Sequence, residues 1–223
     1  MHRRAAAGLA SRIAAGIAVT DTRCLPPHAV LLLAAGSSRR LGQPKQLLRR
    51  DGETLVHRAA RLGAATSPSR LVIVLAEQAG PIADALADLD HRSVLNLAPQ
   101  RGLAGSLQAA APLLRDMPRV LVMTCDQPTL TAAHLERLLH AARTATSGCA
   151  ATRLAGSAGV PAVVPGDWFA ALGTHDDDDR GFRARLRALP ADALSLVDGP
   201  GLEQDIDTPE DLAAARAAGL IDP

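Results

Sequence analysis

The chain has 223 residues, 48% of them hydrophobic and 21% charged, enough to bury a sizeable core as one domain but cramped for two. A formal net charge of +1 and the lack of any Lys/Arg run interleaved with aromatics argue against nucleic acid as a partner. Cys24, Cys125 and Cys149 are too few and too unevenly spaced for a disulfide framework or a zinc pattern, so a reducing, cytoplasmic setting is expected.

At the N-terminus, His2, Arg3 and Arg4 precede an Ala/Gly/Leu/Ile segment that Arg12 interrupts. No uninterrupted apolar run approaches the ~20 residues of a membrane span, and no membrane partner is expected. Residues 1–27 read as a loosely ordered N-terminal extension, and residues 28–223 as a single domain. From there short apolar runs alternate with amphipathic ones, the pattern of an α/β sheet with helices on both faces.

The first strand spans 30–33, in an aliphatic run suited to burial on both faces. The small-residue turn after it, where Gly36 marks a tight reversal, lets backbone N–H groups approach phosphate oxygens, and Arg39, Arg40 and Lys45 add positive charge. The stretch reads as a nucleoside triphosphate site. It lacks the closing Gly-Lys-Ser/Thr of a Walker A loop and is not GxGxxG. A helix over 54–65, a strand over 71–75, a helix over 81–89 with Pro81 in its first turn, and a strand over 93–95 follow. Gly102 precedes a helix over 103–114, and Asn96 and Ser106 offer groups that both donate and accept, as a base edge requires. A strand over 120–124 ends at Asp126, whose carboxylate stands at a strand tip where it can hold Mg²⁺ or cap the turn before Pro128. Cys125 beside it reads as a packing residue, and His57, His91, His134 and His140 as surface or interface residues.

A helix over 131–143, strands near 150–153 and 160–164 separated by a turn over 155–159, and a strand over 194–197 complete the sheet. The acidic run 176–179 beside His175 reads as an exposed turn, since adjacent carboxylates cannot all face one ion. The last helix, 208–218, has Thr208 as N-cap, Pro209 at its first position, Glu210 and Asp211 in its first turn, and Gly219 at its close. In open sheets of this kind ligands sit beyond the C-terminal strand ends, so the 34–45 loop and the segment after Thr124 should face one another.

The stretch Leu33-Ala34-Ala35-Gly36-Ser37-Ser38-Arg39-Arg40-Leu41-Gly42-Gln43-Pro44-Lys45 resembles the opening signature of the MobA-like nucleotidyltransferase family. The resemblance implies a three-layer Rossmann-like nucleotidyltransferase fold, with a mostly parallel sheet and helices on both faces. It implies nucleotide-binding roles for Leu33, Ala34, Ala35, Gly36, Ser37, Arg39, Lys45, Asn96, Gly102 and Ser106, with Arg39, Lys45 and Asp126 catalytic. Asp126 and Pro128 match the family's Asp-x-Pro metal motif, and Asp205-Ile206-Asp207-Thr208-Pro209 matches a C-terminal motif whose second Asp joins the metal site. Asp126 and Asp207 are thus the implied Mg²⁺ ligands. Read from the residues alone, Asp207 and Thr208 equally suit the opening of a helix, and Asp205 is an alternative ligand. Gly159, Pro161, Asp179 and Arg183 match acceptor-side motifs, although Asp178 replaces the family's Gly and Phe182 its usual Ala.

The Ala34-Ala35-Gly36 turn and Cys125-Asp126-Gln127-Pro128 look most like the branch of molybdenum cofactor cytidylyltransferases. That resemblance implies transfer of CMP from CTP to the phosphate of molybdopterin with release of pyrophosphate, and a recipient enzyme of the xanthine dehydrogenase type. The alternatives are a related enzyme using GTP or a sugar phosphate, and a non-catalytic chaperone that binds the molybdenum cofactor.

Overall fold

The computed structural model describes residues 25–172 and 182–223. Most of the proposed extension, the acidic run 176–179 and Asp179 with it therefore lie outside the described residues. Leu25 already packs against the core, so the folded unit takes in residues ahead of position 28.

The strands are β1 (Ala29–Leu33), β2 (Arg49–Arg50), β3 (Glu53–Thr54), β4 (Arg70–Ala76), β5 (Arg92–Asn96), β6 (Val120–Thr124), β7 (Cys149–Leu154), β8 (Ser157–Val164) and β9 (Leu194–Asp198). The helices are α1 (Leu55–Ala64), α2 (Gly80–Asp84), α3 (Gly102–Leu114), α4 (Ala132–Thr144), α5 (Asp167–Ala170), α6 (Arg183–Arg187) and α7 (Pro209–Ala217). Seven strands form one sheet in the order β5-β4-β1-β6-β8-β7-β9, and β2 pairs with β3 in a separate hairpin. Only β8 runs against the others, so the sheet is mostly parallel. Among the described residues no helix is long and apolar enough to cross a membrane.

Alternation along the central strands sorts their side chains onto two faces. Val30, Leu32, Ile73, Leu121 and Met123 meet one layer, which includes α1 and α4, while Leu31, Val72, Val74, Val120 and Val122 meet the other, which includes α3, α5 and α6. The result is a three-layer Rossmann-like arrangement. Register then aligns the strand ends: Leu33 lies opposite Val74 on one side and Thr124 on the other, and Ala76 opposite Asn96. Chain order reverses at β1, with β4 on one side and β6 on the other, which is where such sheets open a crevice.

A third cluster has more bearing on function than its size suggests. Leu41, from the loop after β1, packs with Leu48, Leu55, Ile206, Leu212 and Ile221. The Asp222 carboxylate accepts from the N–H groups of Asp51 and Gly52, both at 2.9 Å. The C-terminal segment is thereby fastened to the loop that leaves β1.

Several elements depart from expectation. Helix α2 closes after five residues, short of the expected 81–89. The expected turn over 155–159 shrinks to Ala155 and Gly156, both at positive φ, because β8 begins at Ser157 and forms a hairpin with β7. The two-residue strands β2 and β3 and the short α5 and α6 fall below the length at which periodicity is legible.

Candidate active site

The loop after β1 is held by its own side chains. Gln46 is 1% exposed, and its Nε2 donates to the carbonyls of Ala34 at 2.9 Å and Gly36 at 2.7 Å. The Ser38 hydroxyl accepts from the Lys45 N–H at 3.1 Å, and the Ser38 carbonyl accepts from Leu41 and Gly42. These bonds close the segment into a ring that starts and ends at the sheet edge. Gln46 was not among the expected site residues; its signal, one amide side chain between Lys45 and two leucines, carries no chemistry until the loop is folded.

Gly36 corrects the expected reason for its presence. It does not adopt a positive φ, and a Cβ built on it meets nothing within 4 Å. Nothing among the described residues therefore requires glycine there. The residue lines a cleft, so its small size leaves the loop backbone open to a molecule outside the chain. Gly102 differs, since its φ of 52° with ψ of −131° suits glycine alone.

The two carboxylates singled out as metal ligands converge on Lys45. Its Nζ donates to Asp126 Oδ2 at 2.5 Å and to Asp207 Oδ1 at 2.8 Å, while Arg40 holds Asp207 Oδ2 at 2.8 Å. Burial works against the Lys45 charge, but the facing Asp126 and Asp207 outweigh it and hold the ammonium above its usual range. The bond from Lys45 lowers the Asp207 carboxyl. Helix opening falls to other groups. Thr208 Oγ1 accepts from the Asp211 N–H at 3.1 Å, and the Asp211 carboxylate accepts from the N–H groups of Asp207 and Thr208, a complete capping box. The Asp207 carboxylate is thus released from the capping role that the residues alone allowed it.

A divalent cation fits this arrangement. Among the described residues Asp126 Oδ1 is buried without a partner, and the Lys45 ammonium already stands as one positive charge between two carboxylates. Magnesium takes one or two carboxylates and completes its shell with water and phosphate oxygens. Among the described residues no three His, Cys, Asp or Glu side chains gather around one point. Asp205 lines a second cleft, where burial and the charge of Asp126 push its carboxyl up to about 7.

Two clefts meet at this point. The first, about 730 Å³, is lined by Leu33, Ala35, Gly36, Ser37, Arg39, Lys45, Asn96, Gly102, Ser106 and Asp126, nearly all the residues expected to bind nucleotide. Gln46, Pro99, Gln100 and Thr124 join them unforeseen, and Leu103 with them. Ala34 does not. It is 1% exposed, its N–H bonds to the Val74 carbonyl and its own carbonyl to Gln46, so it is the root of the loop. Asn96 Nδ2 donates to Ser106 Oγ at 3.0 Å, and Asn96 Oδ1 accepts from the Ala98 N–H, so the pair rigidifies the wall it forms.

The second cleft, about 310 Å³, shares Leu33, Leu103, Thr124 and Asp126 with the first. Gly159 and Arg183, two of the residues expected on the acceptor side, line it. Pro161 is instead buried within β8, where its carbonyl accepts from Thr152 Oγ1 at 2.8 Å. Gln127 fastens the cleft by donating to the carbonyls of Val160 and Leu202.

Two histidines also differ from expectation. His134 is buried, with its Nε2 2.8 Å from Thr152 Oγ1, and burial lowers its pKa to about 4. Thr152 spends its proton on Pro161, so His134 donates from Nε2 and is a structural, neutral residue. His57 sits between Glu53 and Asp88. Burial pushes the Cys125 thiol up to about 12, which leaves it a packing residue.

Residues 30–193 match the MobA-like NTP transferase domain family. Nicotine blue oxidoreductase from Paenarthrobacter nicotinovorans is 32% identical over 202 residues, 86% of this chain and 97% of that protein. Bifunctional protein GlmU from Prochlorococcus marinus is 31% identical over 114 residues, half of this chain, which spans only 25% of that relative's length. A probable molybdenum cofactor guanylyltransferase from Synechococcus elongatus is 39% identical over 112 residues, 48% of this chain and 55% of that protein. Among solved structures, Rv0371c from Mycobacterium tuberculosis superposes with a TM-score of 0.67 at 25% identity, over 85% of this chain and 97% of that one.

Proposed function

This chain belongs to the MobA-like NTP transferase family, and from that premise we propose that it transfers CMP from CTP to the phosphate of molybdopterin. An acceptor phosphate oxygen attacks the α-phosphorus of CTP, a new P–O bond forms, and the bond to the α–β bridging oxygen breaks with pyrophosphate as leaving group. No covalent enzyme intermediate is required. The observation that carries the proposal is the position of Asp126, common to two clefts and joined through Lys45 to Asp207.

Each residue has a role that follows from its chemistry. The Gly36 segment offers an uncluttered backbone to the phosphates, and Arg39 and Lys45 neutralise them from one side. Asn96 and Ser106 present a rigid polar wall to the nucleoside. Asp126 and Asp207 would hold Mg²⁺, which supplies charge neutralisation at the triphosphate when bound. Catalysis of this kind rests on positioning and electrostatics, both of which the converging side chains supply. The Ala34-Ala35-Gly36 turn supports CTP, and the product would pass to a recipient of the xanthine dehydrogenase type.

The test is pyrophosphate release with each of the four nucleoside triphosphates, with and without molybdopterin. Release that requires molybdopterin and prefers CTP is the expected result. A preference for GTP would overturn the choice of base, and release driven by a sugar phosphate would overturn the acceptor. A second reading has one specific observation behind it, the near full-length likeness to nicotine blue oxidoreductase. Under that reading a reduced nicotinamide nucleotide in the first cleft is oxidised by passing its hydride to an electron-accepting substrate, which is reduced. Oxidation of a reduced nicotinamide nucleotide, with no pyrophosphate released, would replace transfer by reduction.

A further inference from the structure

Asp126 stands in a connection, 125–131, that belongs to neither β6 nor α4, so its place depends on what holds that loop. The Leu130 N–H closes a turn on the Gln127 carbonyl at 3.1 Å. Side chains supply further ties. Toward β8 and the 199–202 turn, Gln127 reaches the carbonyls of Val160 and Leu202, and the Thr129 hydroxyl donates to the Gly201 carbonyl at 2.8 Å. Toward β2 and α1, Arg50 Nη1 donates to the Pro128 carbonyl at 2.6 Å. Arg58 spans two acceptors, the Pro128 carbonyl at 3.4 Å from Nε and the Leu130 carbonyl at 3.1 Å from Nη2. We infer that Arg50 and Arg58 are positioning residues that set the place of Asp126, an inference that rests on the reading above in which Asp126 holds the cation.

Two guanidinium groups meet at one carbonyl oxygen, which its two lone pairs allow. Like charges so placed repel, and burial together with the Arg50 charge lowers the Arg58 pKa. A neutral donor would hold a carbonyl without that repulsion, so the use of the pair lies in what the loop carries. Arg50 follows Lys45 along one short stretch of chain, and Pro128 follows Asp126 along another. The two stretches meet twice, through Lys45 Nζ and Asp126 Oδ2 at 2.5 Å and through Arg50 and Pro128. Arg58 then ties the same carbonyl to α1, whose Val56, Ala59 and Ala60 are buried in the core. These backbone contacts fix the distance across which Lys45 reaches Asp126, and with it the spacing between the Asp126 and Asp207 carboxylates.

The test is Mn²⁺ binding to the full chain, read by electron paramagnetic resonance without nucleotide or acceptor, below the unfolding transition of each variant. Asp126→Asn should weaken binding. Arg58→Met keeps the apolar stem but neither donor, and should weaken it about ten- to a hundredfold, the usual effect of losing a group that orients a metal ligand. Arg50→Met should act in the same direction. Arg58→Lys should fall between Arg58→Met and the wild type, since an ammonium reaches one carbonyl and cannot span two. Millimolar methylguanidinium should restore part of the affinity to Arg58→Gly. The control is Arg61→Met, on the next turn of α1, where the lost bonds run to Glu53. It should lower the Tm and leave Mn²⁺ affinity as it is. Wild-type affinity in Arg58→Met, or an equal loss in Arg61→Met, would overturn the inference, and Arg58→Lys carries the same comparison if Arg58→Met fails to fold. Affinity insensitive to Asp126→Asn would instead remove the cation from Asp126, a failure of the underlying reading. A loss in Asp126→Asn with none in Arg58→Met is a failure of the positioning role alone.

Discussion

Lys45 sets the character of the site, because one ammonium compensates two carboxylates that come from distant parts of the chain. Its removal leaves Asp126 and Asp207 facing each other with no charge between them. Lys45→Ala should therefore lower triphosphate use about ten- to a hundredfold, the value of a charge-assisted phosphate contact, as read in steady-state kinetics. Millimolar Mg²⁺ or Mn²⁺ should raise the Tm of this variant more than that of the wild type, since a divalent cation replaces the missing charge. Equal shifts would take the two carboxylates out of the cation site. Asp126→Asn and Asp207→Asn should each remove most turnover, and the double variant should lose little more, because groups acting through one ion are strongly non-additive. Losses that simply add in free energy would separate the two.

At the scale of elements, β3 and α1 hold a charge cluster whose titration is readable in stability. Bonds from Arg61, with His57 beside them, pull the Glu53 carboxyl from 4.5 down to about 2. A carboxyl depressed on folding stabilises fully above its unfolded pKa, and that contribution disappears as pH falls from about 4.5 towards about 2. Arg61 is half exposed, so solvent screening keeps this contribution to about 1 kcal/mol. For His57 burial alone would lower the pKa, but the bonds to Glu53 and Asp88 raise it above 6.5. Its contribution is whole below pH 6.5 and fades as pH climbs through the raised value. Urea midpoints measured from pH 8 to pH 2 should show both losses, and Glu53→Gln should flatten the acid one. An unaltered acid limb in that variant would assign the loss to other carboxylates.

For the whole molecule, the third apolar cluster decides whether the site exists, because it fastens the C-terminal segment to the loop after β1. Ile221 is buried there and lines neither cleft. Ile221→Ala should cost about 2–4 kcal/mol of stability and also reduce turnover at temperatures where the chain remains folded, by loosening the approach of Asp207 to Lys45. Full activity in a destabilised variant would show that α7 keeps its place without this contact. Much of the architecture was legible beforehand. Aliphatic runs of strand length marked the central strands, Thr208 and Pro209 marked the last helix, and the 34–45 loop and Asp126 were recognisable by residue type at strand ends. Local preference and hydrophobic period act over a few residues, so the sequence by itself determined which segments became strands and helices and which ends carried the glycine, basic and acidic groups. It did not reveal Gln46 as the tie that shapes the loop, or the retreat of Ala34 and Pro161 into the interior. Nor did it show that Thr208 and Asp211 share the cap of the last helix and leave the Asp207 carboxylate to Lys45 and Arg40. Those depended on strand register, which sets Leu33 beside Thr124, and on apolar packing between Leu41 and Leu212. Such contacts join residues far apart along the chain, and only the folded arrangement brings their side chains within bonding distance.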